Sequence, residues 1–176
     1  MQQQRLTQLF TRIYKQELSY VYASVGRLGV PLSQREDVTH DVFVVVHRKL
    51  EDYDTARPLR PWLFGIAYRV VLDHKRKASN AREIPSMKAH EDRASEVSTR
   101  PPEDVREAKE LVMQALEEVP LERRIVFILH KLDRCDVADI AREFALPIHT
   151  VYARLRRANE EFTQAVRVLQ SSKEEP

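Results

Sequence analysis

The sequence predicts an all-α protein of two small helical domains joined by a flexible linker, the C-terminal domain carrying a helix-turn-helix. Three observations predict it. The 176 residues include only three glycines. Apolar residues recur at helical rather than alternating spacing. Between two such stretches lies a segment too poor in large apolar residues to fold alone. The reading places a first domain at residues 1–80, a linker at 81–102, a second domain at 103–170 and a tail at 171–176.

In the first domain Leu6, Leu9, Phe10, Ile13, Tyr14, Val21, Val25 and Leu28 lie mostly at helical spacing, and Gly29-Val30-Pro31 ends that helix. Ser33 and Glu36 have capping-box spacing for a second helix that buries Val38, Val42, Val45, Val46 and Leu50. The run Phe43 to Val46 has strand character, but the caps and the flanking period favour helix. A polar turn from Glu51 to Arg60 follows. Pro61 then opens a third helix reaching about Ala78, with Leu63, Ile66, Ala67, Val70 and Val71 on its core side. From Ser79 to Pro102 the only large apolar residues are Ile84, Met87 and Val97, which defines the linker. Beyond it, Val105, Ala108, Leu111, Val112, Ala115, Leu116 and Val119 form a helical stripe that Pro120 breaks. Leu121 to Leu132 make a short helix. The last helix continues through Phe162, Val166 and Leu169, and the tail from Ser171 is expected to fray.

The stretch Asp136 to Asn159 has the pattern of a helix-turn-helix. Ala141 is small where two helices would cross, and Ile140, Phe144, Leu146, Val151 and Leu155 are the apolar lock. Asp136 can N-cap the first helix, and Pro147 suits the first turn of the second. Thr150, Tyr152, Ala153, Arg154, Arg156, Arg157 and Asn159 then remain for DNA. Positions 145 to 159 hold three arginines and no acid, which favours DNA over an ordinary helical hairpin with a solvated basic face. Ala145 stands where many such motifs place Gly to allow positive φ. The substitution would cost on the order of 1 kcal/mol, so a slightly different turn is expected.

Charge and composition narrow the function classes. Net charge is +2, but residues 1 to 81 hold 13 Lys and Arg against 8 Asp and Glu, while residues 82 to 118 are net acidic. The first domain therefore carries a second basic surface. Tyr68, Arg69, Lys75, Arg76 and Lys77 of the third helix combine aromatic and cationic groups suited to stacking on bases and holding phosphates, or form a solvated helix face. Trp62 fits either a core position or a base wedge. The longest apolar run, Val42 to Val46, is too short to span a bilayer, and the N-terminus lacks a signal-peptide core, so a cytoplasmic protein without membrane insertion is expected. The single Cys135 excludes an intramolecular disulfide and a cysteine-based zinc site.

Motif order and spacing carry a resemblance to bacterial sigma factors of the extracytoplasmic-function (ECF) group, which keep only sigma regions two and four. Asp37-Val38-Thr39-His40-Asp41-Val42-Phe43 resembles the family's D-x-x-Q-E-x-F, with His40 for Gln and Asp41 for Glu. The resemblance implies that Asp37, His40, Asp41 and Phe43 bind the clamp helices of the polymerase β′ subunit. Trp62-Leu63-Phe64-Gly65-Ile66-Ala67 with Asp73-His74-Lys75-Arg76 resembles the stretch that melts and reads the −10 element. It implies DNA contacts from Arg60, Trp62, Tyr68, Arg69, Arg76 and Lys77. Tyr68-Arg69 departs from the Arg-Asn or Val-Asn of many members, so −10 preference is expected to differ. The loop from Asp52 to Arg60 corresponds to one with which the family captures a flipped base.

In region four, Ala115-Leu116-Glu117-Glu118-Val119-Pro120 with Arg124 resembles A-L-x-x-L-P…R, and Asp139-Ile140-Ala141 resembles E-I-A. Thr150 to Ala158 resembles T-V-K-S-R-L-x-R-A, which reads the −35 element in the major groove. The implied contacts are His149, Thr150, Tyr152, Ala153, Arg154, Arg156 and Arg157. The resemblance implies core RNA polymerase (β′ clamp and β flap), promoter DNA and an anti-sigma factor as partners, with no cofactor, no metal and no catalysis. Two other classes compete. A polymerase-independent helix-turn-helix regulator would leave Asp37 to Phe43 without a purpose. An enzyme using His40, Asp41, Asp73 and His74 as metal ligands is disfavoured because neighbours on a helix do not face one way.

Overall fold

The computed structural model describes residues 2–82 and 102–174, all of whose regular elements are helical. The chain divides into two compact units, residues 1–94 and 95–176. Residues 83–101, which hold nearly all of the expected linker, lie outside the described residues. None of the described helices is long and apolar enough to cross a membrane.

In the first unit α1 (Gln2–Arg27), α2 (Leu32–Lys49) and α3 (Leu59–Arg82) each pack on the other two, and a 3₁₀ turn (Leu50–Asp52) follows α2. Val21 and Val25 of α1 and Leu28 just beyond it meet a core built with Val38, Val42, Phe43 and Val46 of α2 and Leu63, Phe64, Ile66, Ala67 and Val71 of α3. Each of these side chains larger than Ala67 contributes about 1.5–3 kcal/mol on leaving water. Gly29 takes φ 85°, and the Gly29 and Val30 amides donate to the Gly26 and Val25 carbonyls, closing a Schellman motif at the end of α1.

Proline, not the expected capping box, starts α2. Pro31 occupies the N-cap with no side-chain cap bond, and its carbonyl accepts from the Gln34 amide at 3.0 Å. Helix geometry therefore begins at Leu32 and places Ser33 inside the first turn. Pro102 and Pro120 repeat the arrangement for α4 (Glu103–Glu118) and α5 (Leu121–Phe127). The third helix likewise starts at Leu59, two residues before Pro61, and runs past Ala78 to Arg82.

The second unit is organised on α7 (Ile148–Glu174), against which α4, α5 and α6 (Val137–Glu143) all pack. The stripe of α4 buries Ala115, Leu116 and, just beyond it, Val119, whereas Val105 in its first turn is exposed. α5 passes into a π-helical turn, Ile128–Leu132, that keeps Ile128 and Leu129 buried. α7 continues to Glu174 where a frayed tail was expected. Ser171 and Ser172 return their hydroxyl groups to the Arg167 and Val168 carbonyls within the helix.

Candidate nucleic-acid interface

The helix-turn-helix is formed by α6 and α7. Ile140 and Ala141 are buried against a core completed by Val151, Leu155 and Ala158, while Phe144 and Leu146 are half-buried. Asp136 occupies the N-cap of α6 through its backbone, its carbonyl accepting from the Asp139 and Ile140 amides, without a side-chain cap bond. The turn is not altered by the absence of glycine. Ala145 adopts φ 50°, its amide donates to the Arg142 carbonyl at 3.4 Å, and the Leu146 amide donates to the Ala141 carbonyl at 2.8 Å. That is the Schellman geometry held by an alanine, against a left-handed penalty of about 1–2 kcal/mol.

Helix periodicity sorts the candidates on α7. Val151, Leu155 and Ala158 face the core, so His149, Tyr152, Ala153, Arg156 and Arg157 project outward, with Tyr152 59% exposed. Thr150 is half-buried at the edge of that face. Arg154 is not on it. Its side chain is only 26% exposed and turns to α5, where its guanidinium lies 3.7 Å from the Glu122 carboxylate and donates to the Glu122 carbonyl at 3.5 Å. Ile148, 52% exposed at the start of α7, joins the outward face and was missed from sequence. Periodicity alone gave no signal for it, because Ile148 shares its helical phase with the core residue Leu155, seven positions on.

Two arginines brace the second unit, one on this helix and one at the end of α4. Arg123 of α5 donates twice to the Glu161 carboxylate of α7, at 2.8 and 2.7 Å. Arg124 is buried and caps α4, donating to the Val119 carbonyl at 3.0 Å and the Glu117 carbonyl at 2.6 Å. Burial lowers its pKa, opposed by Glu117 and Glu118, and an arginine so placed stays charged at any pH the fold meets.

In the first unit Asp37, His40 and Asp41 are exposed and share one face of α2, at i, i+3 and i+4. Phe43 does not join them. It is 2% exposed, with its ring 4.7 Å from Tyr14 and 6.4 Å from Phe10, and packs behind that face.

The basic face of α3 is narrower than its sequence. Trp62, Arg69 and Arg76 recur every seven residues along one stripe, with exposed Lys77 beside it. Trp62 is half-buried, its ring centroid 4.5 Å from that of Tyr53 and tilted 34° to it. Arg76 pairs with Asp73 at 3.0 Å, and Tyr68 is half-buried away from the stripe. Lys75 donates to the Leu28 carbonyl at 2.9 Å, and His74 meets Gln34 at 2.8 Å, so both reach the α1–α2 junction. Arg60 lies against α1, 3.3 Å from Glu17 and over the Tyr20 ring. Among the described residues no group of three His, Cys, Asp or Glu side chains could hold a metal ion.

The family signature "Sigma-70 region 2" matches residues 13–81, and "Sigma-70, region 4" matches residues 109–160. RNA polymerase sigma factor NccH of Alcaligenes xylosoxydans xylosoxydans is 30% identical over 149 residues, covering 82% of this chain and 77% of its own. ECF RNA polymerase sigma factor SigL of Mycobacterium tuberculosis is 27% identical over 153 residues, covering 85% and 84%. A solved sigma factor RpoE from Bartonella quintana, in complex with the anti-sigma factor NepR, shares the fold at TM-score 0.65 and 18% identity, covering 90% of this chain and 97% of its own. These matches cover both units. The chain belongs to the RNA polymerase sigma factors, in the ECF group that carries regions 2 and 4.

Proposed function

We propose a division of labour between three surfaces. The Asp37, His40 and Asp41 face of α2 binds core RNA polymerase at the β′ clamp, and the second unit engages the β flap. The outward face of α7 enters the major groove of the −35 element, with Tyr152, Arg156 and Arg157 reaching base edges or phosphates. The Trp62, Arg69, Arg76 and Lys77 side of α3 holds the separated −10 strand by stacking and phosphate contact. Unstacking a base costs a few kcal/mol, so the free protein opens no promoter and core polymerase supplies the remaining contacts. The protein acts in the cytoplasm, without catalysis of its own, and is restrained by an anti-sigma factor, as the complex of the RpoE relative supports.

The observation that carries this reading is the outward basic and aromatic face of α7, in a chain whose other unit independently presents an aromatic and cationic stripe. In vitro transcription from a random-promoter library, with the full chain and bacterial core polymerase, tests it. Transcripts requiring both proteins and sharing two spaced sequence elements are expected. Sequence-specific DNA binding without core, and no transcripts, would make it a polymerase-independent regulator.

A further inference from the structure

We infer that Arg60 is a positioning residue and not a DNA ligand: with Glu17 and Tyr20 it clamps the start of α3 to α1 and so fixes the exposed loop Asp54–Pro58. The inference rests on the reading that α3 engages a single DNA strand, and it changes what one of the candidate contacts does.

Three sets of observations carry it. First, the helical phase is wrong for a shared DNA face. At about 100° per residue, Arg69 and Arg76 fall within about 40° of Trp62, whereas Arg60 lies about 160° away. Second, the guanidinium is already engaged. Its Nε donates to Glu17 at 3.3 Å, its Cζ sits 4.8 Å above the Tyr20 ring centroid, and the Glu17 side chain is only 16% exposed. The Arg60 side chain is 53% exposed, but a planar guanidinium held both by a carboxylate and across its face is restrained in orientation.

Third, the clamp closes a loop that is otherwise tied at its other end. The Tyr53 amide donates to the Leu50 carbonyl at 3.3 Å, and its hydroxyl donates across the loop to the Arg57 carbonyl at 2.7 Å. The Asp54 carboxylate accepts from the Ala56 amide at 3.0 Å, and the Arg57 amide donates to the Asp54 carbonyl at 3.0 Å. The Tyr53 ring packs against Trp62, and burial, with Asp54 adding to it, raises the phenol's pKa and keeps it a donor. One end of the loop is thus locked to the Trp62 stripe. The other runs through Pro58 and Leu59 directly into Arg60. A loop ordered before binding avoids the cost of ordering it on the DNA, so its shape can discriminate between sequences.

The two roles predict opposite signs for Glu17→Gln, which removes charge while keeping size. A phosphate-binding Arg60 would be released by the change and would bind DNA more tightly. A clamping Arg60 would be loosened. The experiment uses holoenzyme assembled from the full chain and core polymerase. The probe is forked DNA bearing the −10 strand, selected from the promoter library, as a single strand, against the same fork with that strand scrambled. Glu17→Gln and Arg60→Ala are each expected to lower the matched-to-scrambled affinity ratio about two- to fivefold, with the double variant no worse than either alone. Core affinity and the salt dependence stay unchanged, and Arg60→Lys does not restore the ratio. Tighter binding by Glu17→Gln would overturn the inference. So would a salt slope flattened by about 0.7 in Arg60→Ala, the loss of one single-strand phosphate contact. If wild-type holoenzyme does not distinguish the two forks, the reading of α3 as a strand-binding element fails and the inference falls with it.

Discussion

Arg123 and Glu161, 38 residues apart in sequence, join α5 to the recognition helix through two parallel hydrogen bonds of 2.8 and 2.7 Å. Their side chains are about one-third exposed, so the pair is screened less than a surface ion pair but is not desolvated. Arg123→Ala and Glu161→Ala are each expected to lower stability by about 0.5–1 kcal/mol, and the double variant to lose no more than the larger single loss. Urea unfolding of the four proteins measures the coupling.

Arg124 is the more costly arginine to lose. Its guanidinium satisfies the Val119 and Glu117 carbonyls where α4 ends and the chain turns at Pro120. Arg124→Met fills similar volume but leaves both carbonyls without that donor. A loss of about 2–3 kcal/mol is expected in the same urea titration. Lys at this position restores a charge but not the two-pronged reach, and recovers less than half of it.

Ala145 offers a change in the other direction. Its φ of 50° is a conformation in which glycine carries no side-chain penalty. Ala145→Gly is expected to raise stability by about 0.5–1 kcal/mol, the strain relieved exceeding the extra entropy given to the unfolded chain. A rise in Tm with unchanged helical signal in circular dichroism checks it. A fall in Tm would mean that the turn relaxes elsewhere.

Phe43 separates support from contact on α2. Phe43→Ala removes a buried ring packed on Tyr14 and Phe10 and is expected to cost about 3–5 kcal/mol, lowering core binding only through unfolding. Phe43→Leu, which keeps most of the volume, should bind core as wild type does. Weak core binding by a folded Phe43→Leu protein would return the ring to the contact surface.

Much of the fold was legible because it depends on local periodicity. The end of α1 followed from Gly29, and the helix-turn-helix from Ala141 and its apolar lock. Helix starts were less so, because a proline with preset φ competes with a Ser-x-x-Glu capping box and at Pro31 it prevails. Candidate site residues could be drawn from the motifs, but the directions of their side chains could not. Arg154, Arg60 and Lys75 are cations in DNA-binding motifs, yet Glu122 and Glu17 on neighbouring helices and the Leu28 carbonyl just past α1 already engage them. Those partners lie 32, 43 and 47 residues away, beyond any local pattern. The inward direction of Phe43 was hidden for the same reason, since a motif records which residue recurs and not whether it faces inward.

The proposed division of labour places polymerase binding and promoter reading on different surfaces of one chain. Its most direct test is to measure core-polymerase affinity and promoter-specific transcription for Asp41→Arg and Arg157→Ala. Asp41→Arg, reversing charge on the exposed face of α2, is predicted to weaken core binding by at least about tenfold. Arg157→Ala is predicted to bind core as wild type does and to lose promoter-specific initiation. Wild-type core affinity in Asp41→Arg, or weakened core binding in Arg157→Ala, would contradict the separation.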